Sequence, residues 1–364
     1  MIADSATSIW FPGGTAALIA ALLALGARQR WVAVPPNVCP NVLAAILGAE
    51  ARPWFVDIEA ERQGLDPQQL ESVIDQIAVV LAVHAYGTPC RIDELVRISH
   101  QHGVPVIEDC AVADGATYAG RPVGSFGDIA VFSFGTGKIV DAGGGGALLV
   151  NTPARLSVAI DAICADWPLA EDCEPVATEL GLAYKSLYNH FYPFCPQVVR
   201  EDFYLTLLRL APDFRRKYAA SDSPPDRIAH KRASRDVWAA ARRQKHAGYV
   251  RQLAAVPGVS VAALPQGSVP WRCNVHVDAT LRDALFRHLM ALKLPASTWY
   301  PRLNTFMPDA SCAAAELRQA AQAERTLLNL WLDESTDDVV ISRTCDALKH
   351  FVAAQQPCQS PSPP

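Results

Sequence analysis

The feature that most constrains the fold of this chain is an alternation running through its first 151 residues. Short runs rich in valine, isoleucine and aromatics read as strands: "WVAVP" (Trp31 to Pro35), "RPWFVDI" (Arg52 to Ile58), "AVVLAVHAYG" (Ala78 to Gly87), "VPVIEDC" (Val104 to Cys110), "DIAVFSF" (Asp128 to Phe134) and "GALLVN" (Gly146 to Asn151). Between them, "TAALIAALLALG", "NVLAAILGA", "PQQLESVIDQI" and "RIDELVRISHQHG" carry helical periodicity. Near-continuous apolar strands separated by helices predict the α/β class, with a largely parallel sheet covered on both faces. Such sheets gather ligands at the carboxyl ends of their strands. The loops expected there are "HAYGTP", "EDCAVADG" and "FGTGK".

At 364 residues the chain exceeds a typical single core, which predicts a large domain and a smaller one. The expected division is a large domain over 1–225, a small C-terminal α/β domain over 226–354 and a disordered Pro- and Ser-rich tail over 355–364. Within the first, 168–225 is irregular around "YKSLYNHFYPFCP" and suits a substrate-facing insertion or an interface segment. The second is built from "GVSVAAL", "RCNVHVD", a helix from Leu281 to Leu292, "PASTWYPRL" and a last helix near Asp346 to Ala353. Basic residues cluster in His230 to His246; with Trp238, Ala241, Tyr249 and Leu253 marking an apolar stripe, the cluster reads as the solvated side of an amphipathic helix.

A net charge of -5 argues against a nucleic-acid partner. Ten cysteines without a C-x-x-C pair indicate neither a zinc ribbon nor a disulfide framework, and suit a reducing compartment. The N-terminal apolar run follows Asp4 with no lysine or arginine before it and is too short to span a bilayer, so a cytoplasmic location without a membrane partner is expected.

Lys138 carries the functional question, in "VFSFGTGKIVDAGGGG" (Val131 to Gly146). A phosphate-binding P-loop needs a glycine five positions before the Gly-Lys pair and Ser or Thr after it; Phe132 and Ile139 stand there, so the motif is excluded. A lysine that forms an imine with pyridoxal phosphate needs an acid at the pyridine nitrogen, donors for the phosphate and a packing surface for the ring. Asp109 ends the run "VPVIED" and could hold the pyridinium proton; "GGTAA" (Gly13 to Ala17) opens a helix whose N–H groups and Thr15 hydroxyl suit a phosphate. Ser133, five residues before Lys138, adds a hydroxyl. Each part has a plainer reading: Asp109 as a strand-end cap, "GGT" as an ordinary helix start.

Their order resembles the DegT/DnrJ/EryC1/StrS family of pyridoxal-phosphate sugar aminotransferases, of fold type I. "GTAALIAALLALG", "PWFVDIEAERQGLDPQQLESVI", "VHAYGTPCRIDEL" and "VIEDCAVADGATYAGRPVGSFGDIAVFSFGTGK" are each similar to the corresponding family segment. The resemblance implies a large domain with a mostly parallel mixed sheet flanked by helices and a smaller C-terminal α/β domain. It implies Lys138 as Schiff-base lysine and proton shuttle, Asp109 as pyridinium partner, and Gly14, Thr15 and Ser133 as phosphate ligands. It also implies L-glutamate as donor, a nucleotide-linked keto sugar as acceptor, and a homodimer with sites at the subunit interface. His84 and Tyr86 are candidate substrate contacts with a packing role as the alternative; Arg302 is a candidate anion contact or a surface arginine.

The chain departs from the family where Val112 replaces the usual Gln, Asp114 the common His, and Cys39 an aromatic residue against the ring; Asn37 takes that place if the register slips. No Asn-Tyr-Arg segment precedes "DRIAHKR". These changes keep open a cyclitol or other small ketone as acceptor, a different pyridoxal-phosphate reaction, or a cofactor-binding protein without catalysis. A lysine rather than histidine at 138 argues against the related dehydratases. His100 and His102 share a helix end without a carboxylate or cysteine pattern, so no metal site is expected.

Overall fold

A computed structural model describes residues 7–152, 155–170, 197–218, 224–308 and 316–355. The segment "YKSLYNHFYPFCP" and the expected tail beyond residue 355 lie outside them.

The first helix, α1 (Gly14–Ala24), shows how the sequence builds the larger body. Alanine and leucine favour a helix, and with an apolar side chain at nearly every position it has no face suited to water. Ala16 to Leu22 are accordingly all buried. It lies against a seven-stranded sheet made of β1 (Thr7–Phe11), β2 (Trp31–Val34), β3 (Arg52–Phe55), β4 (Ile77–Val83), β5 (Val106–Asp109), β8 (Ile129–Ser133) and β9 (Gly146–Val150); β6 (Thr117–Tyr118) and β7 (Arg121–Pro122) form a separate small ribbon. The order is β1-β9-β8-β5-β4-β2-β3. From β8 to β3 every pairing is parallel, whereas β9 and β1 are antiparallel additions. Strand β1, "TSIWF", was not legible as a strand because it is a single short run with no crossover helix before it.

Helix α2 (Pro40–Gly48) opens on a proline, and the crossover helices after it likewise start as their sequences direct. In α3 (Pro67–Val73), Asp66 caps the first turn by accepting from Gln68 N at 2.8 Å, with Pro67 at the first helical position. Helix α4 (Ile92–Gln101) buries Ile92, Leu95 and Ile98 and places Asp93 and Glu94 in its first turn, where they complement the helix dipole.

A four-stranded antiparallel sheet of order β10-β11-β13-β12 forms from β10 (Val259–Val261), β11 (Arg272–Val277), β12 (Ala296–Ser297) and β13 (Leu327–Trp331). It has its own core with Tyr249, Leu285, Leu289, Ile341 and Leu348. The final helix is longer than expected, Asp338–Gln355. The two bodies are interlocked: Leu303, Phe306, Leu317 and Ala320 pack in the core of the large sheet. Buried Asp57, beyond β3, accepts from Gln319 N at 2.8 Å and Ala320 N at 2.9 Å, capping the helix Arg318–Thr326.

The basic cluster departs from its expected solvated role. It forms two helices, Pro224–Arg232 and Arg235–Leu253, and Arg242 and His246 are buried. Arg232 makes a two-pronged ion pair with buried Asp114, at 2.9 Å on both oxygens, and Arg235 reaches the same carboxylate at 3.5 Å. Asp114, a departure from the family pattern, thus recruits these helices to the loop after β5.

Candidate active site

The loops after β2, β4, β5 and β8 converge at the carboxyl edge of the parallel strands. Asp109 is the last residue of β5, 7% exposed, and accepts from Ala111 N at 2.9 Å. Burial raises its pKa above the ordinary aspartate value, while the Ala111 N–H and the Lys138 charge work the other way. Lys138 follows β8 in a tight loop shaped by Asp141, whose carboxylate accepts from Gly137 N at 2.8 Å and Gly143 N at 2.9 Å.

Gly14 and Ser133, far apart in sequence, meet at the start of α1. A Cβ on Gly14 would stand 2.8 Å from Ser133 Cβ and 3.1 Å from its Oγ, so glycine alone permits this approach. Gly146 repeats the constraint on the other side, where a Cβ would lie 2.5 Å from Gly14 N. Gly13, at the helix cap, provides no side-chain acceptor for the first-turn N–H groups, and Thr15 follows within that turn. Uncapped N–H groups beside a serine hydroxyl form a cradle suited to a phosphate. With buried Asp109 and Lys138 nearby, the residues present fit pyridoxal phosphate.

Lys138 also lines a cavity of about 950 Å³ shared with Cys39, Trp238, Trp271, Arg272 and Trp331. Asp109, Gly14, Thr15, Ser133 and Val112 are not in that lining; Lys138 belongs to both groups. Val112 is buried among Tyr86, Trp271 and other apolar side chains.

His84, a candidate substrate contact, is fully buried and does not line the cavity. Its Nε2 lies 3.1 Å from Glu108 Oε2, and its Nδ1 accepts from Cys90 N at 3.2 Å. Both ring nitrogens are therefore used internally. Glu108 also accepts from Gly124 N, Phe126 N and Gly127 N at 2.8, 2.6 and 2.7 Å. Burial would raise its pKa, but His84 and these N–H donors outweigh burial and hold it below the ordinary value. His84, Glu108 and Cys110 have potential metal-ligating atoms within 4.8 Å of one another. The carboxylate is already saturated, and burial pushes the Cys110 thiol up to about 12, which disfavours the thiolate a metal would require. His100 and His102 do have carboxylate partners, but different ones: Asp128 at 3.0 Å and Asp75 at 2.8 Å.

Tyr86 is a positioning residue. Its hydroxyl donates to Trp299 O at 2.6 Å and accepts from Tyr300 N at 3.0 Å, and its ring stacks on Tyr300. Its carbonyl accepts from Trp271 N at 2.8 Å, and Trp271 Nε1 donates to Gly137 O at 2.7 Å. The smaller sheet's aromatic strand ends are thereby tied to the lysine loop. Asn37 is buried and donates to Tyr300 O and Ala320 O, a tether outside the cavity lining, whereas Cys39 is in that lining. Arg302 is not an available anion contact: its Nε binds Glu324 at 2.7 Å, and Glu324 also accepts its backbone N–H at 3.0 Å.

Sequence reasoning did not single out Trp271, Arg272 or Arg242 as site residues. They stand more than a hundred residues from Lys138. No local spacing signals that they share its cavity.

Residues 3–162 match the DegT/DnrJ/EryC1/StrS aminotransferase family. Over 171 residues the chain is 35% identical to the L-glutamine:2-deoxy-scyllo-inosose aminotransferase of Streptoalloteichus tenebrarius, covering 46% of this chain and 40% of that protein. Over 140 residues it is 39% identical to the GDP-perosamine synthase of Escherichia coli O157:H7, covering 38% of each. The matched segment thus spans about two fifths of these relatives' lengths. Among solved structures, DesI, crystallised in the presence of its TDP-sugar product, superposes with a TM-score of 0.72 at 24% identity over 95% of this chain and 80% of that one. At that identity the likeness is one of fold, fold type I. Residues 3–162, the segment that carries α1, Asp109, Ser133 and Lys138, are thus the part of the chain that is similar to the DegT/DnrJ/EryC1/StrS aminotransferase family.

Proposed function

We propose that the protein is a pyridoxal-phosphate-dependent aminotransferase that moves an amino group from an amino-acid donor, L-glutamate or L-glutamine, to a keto sugar or cyclitol. The observation that carries this reading is that buried Asp109 ends β5 and Lys138 follows β8, the strand paired with β5, so both lie at one strand edge. Gly14, Thr15 and Ser133 would hold the phosphate, Asp109 the pyridine nitrogen, and Cys39 and Val112 would stand near the ring. When bound, the cofactor supplies an electron sink for the carbon that loses a proton. Lys138 Nζ takes that proton from the donor and returns it at a second carbon, acting as general base and then general acid. Asp109 keeps the ring nitrogen protonated, and its seclusion from water strengthens that contact. Trp271, held against Gly137 O, fixes the loop from which the lysine acts.

Two acceptor classes follow from the relatives' names, an inosose and a GDP-linked sugar. A soluble, cytoplasmic homodimer is part of the same reading; among the described residues no helix is long and apolar enough to cross a membrane. Mixing the purified holo-protein with L-glutamate or L-glutamine should bleach the cofactor's visible absorbance and release the matching keto acid, and Lys138→Ala should abolish both. Silence with every amino donor, in a protein that binds the cofactor, would support the non-catalytic alternative and overturn the aminotransferase reading.

A further inference from the structure

Arg242 and Arg272 are 7% and 6% exposed and line the cavity of Lys138. Each donates NH1 to the same acceptor, Trp271 O, at 3.1 and 3.0 Å. Neither forms an ion pair with a carboxylate among the described residues. Arg272 Nε has no hydrogen-bond partner among them. Two like charges thus converge on one neutral carbonyl in a nearly dry place, which is unfavourable unless an anion completes the arrangement. Burial lowers both guanidinium pKa values, Arg272 to about 10, and the field of Asp333 offsets this only in part.

The arrangement is nonetheless built to hold its shape. The Arg272 guanidinium lies 4.1 Å from the Trp271 ring centroid and 4.6 Å from that of Trp331, a clamp that fixes the plane of the fork. A fixed, planar, under-bonded fork matches a flat or tetrahedral oxyanion better than a lysine would. Lys138, Lys231 and Lys245 add positive charge to the same lining, which with the two arginines outnumbers its carboxylates, Asp141, Asp333 and Glu334.

We propose that Arg242 and Arg272 form a receptor for an oxyanion, a carboxylate or a phosphate, carried by a substrate of the Lys138 site. Arg302, tied to Glu324, has no part in it. Assigning the anion to a substrate rests on the aminotransferase reading; the receptor itself does not.

The test reads tryptophan emission of the holo-protein, since Trp271 and Trp331 touch Arg272. Glutarate, a dicarboxylate that has no amine to transfer, and pyrophosphate are titrated separately at constant ionic strength. Saturable quenching by glutarate assigns the anion to the donor's carboxylate; saturable quenching by pyrophosphate assigns it to a phosphate on the acceptor. Arg272→Met and Arg242→Met should each weaken binding about tenfold or more, Arg272→Lys by less, and Arg302→Gln not at all. No saturable change with either anion overturns the receptor. So does undiminished binding in a folded Arg272→Met protein or, where that variant does not fold, in both Arg272→Lys and Arg242→Met. A protein that binds these anions but transfers no amino group would keep the receptor and refute the function; an active protein indifferent to them would do the reverse.

Discussion

Two buried charged regions of the molecule treat their charges in opposite ways. Below the strand ends, Glu108 accepts from three backbone N–H groups and pairs with His84, whose other nitrogen accepts from Cys90. On the cavity wall, Arg242 and Arg272 share one carbonyl and form no direct ion pair with a carboxylate among the described residues, Asp333 acting on them only through its field. A buried charge saturated by its own chain holds structure together. One left wanting is arranged for something that arrives from outside. By that criterion His84, for which a ligand contact and a packing role were both open, is a strut, and Arg272 is where a substrate would be gripped.

The largest expected effect falls on Lys138, which shares its cavity with the two arginines. Lys138→Ala should lower amino transfer by about 10⁴-fold or more, measured as keto-acid release under saturating donor. Next, Glu108→Gln places an amide against backbone donors and should cost about 3–5 kcal/mol of stability in urea unfolding. Arg272→Met, which removes an unpaired buried charge, should be neutral or stabilising by about 1–4 kcal/mol in the same assay. Equal losses for the two variants would break the comparison.

Acid should separate the regions further. The Glu108 pKa is lowered from 4.5, so its contribution is present above that value and fades as pH falls through the folded pKa. Asp109 has the opposite sign: its pKa is raised from 3.8, so its stabilising contribution is complete below that value and is lost as pH rises through the folded pKa. Without cofactor, Asp109→Asn should therefore be more stable than the parent at neutral pH, as read from the urea midpoint, while failing in amino transfer. The smallest effect is expected at Arg302→Gln, which breaks a partly exposed pair with Glu324 and should cost about 1 kcal/mol or less, with an unaltered Michaelis constant for the donor.

Much of the large sheet was legible because its signals are local. The Asp-Pro start of α3, the all-apolar α1 and the strand runs that end in Asp109 and Ser133 each state their conformation within a few residues. The basic segment was misread for the opposite reason. Charge along a helix looks solvated until a partner is known, and Arg232 owes its place to Asp114, more than a hundred residues earlier. Arg302 likewise looks available until Glu324 is seen beside it.

The sequence by itself determined the α/β alternation, the lysine and aspartate at neighbouring strand ends, and the helix whose first turn can receive a phosphate. These follow from periodicity and from residue types that suit one chemistry. Only the tertiary structure decided which charges are already satisfied. Hydrogen-bond partners and water exclusion are set by segments that meet across the fold, and no spacing within either segment records the meeting.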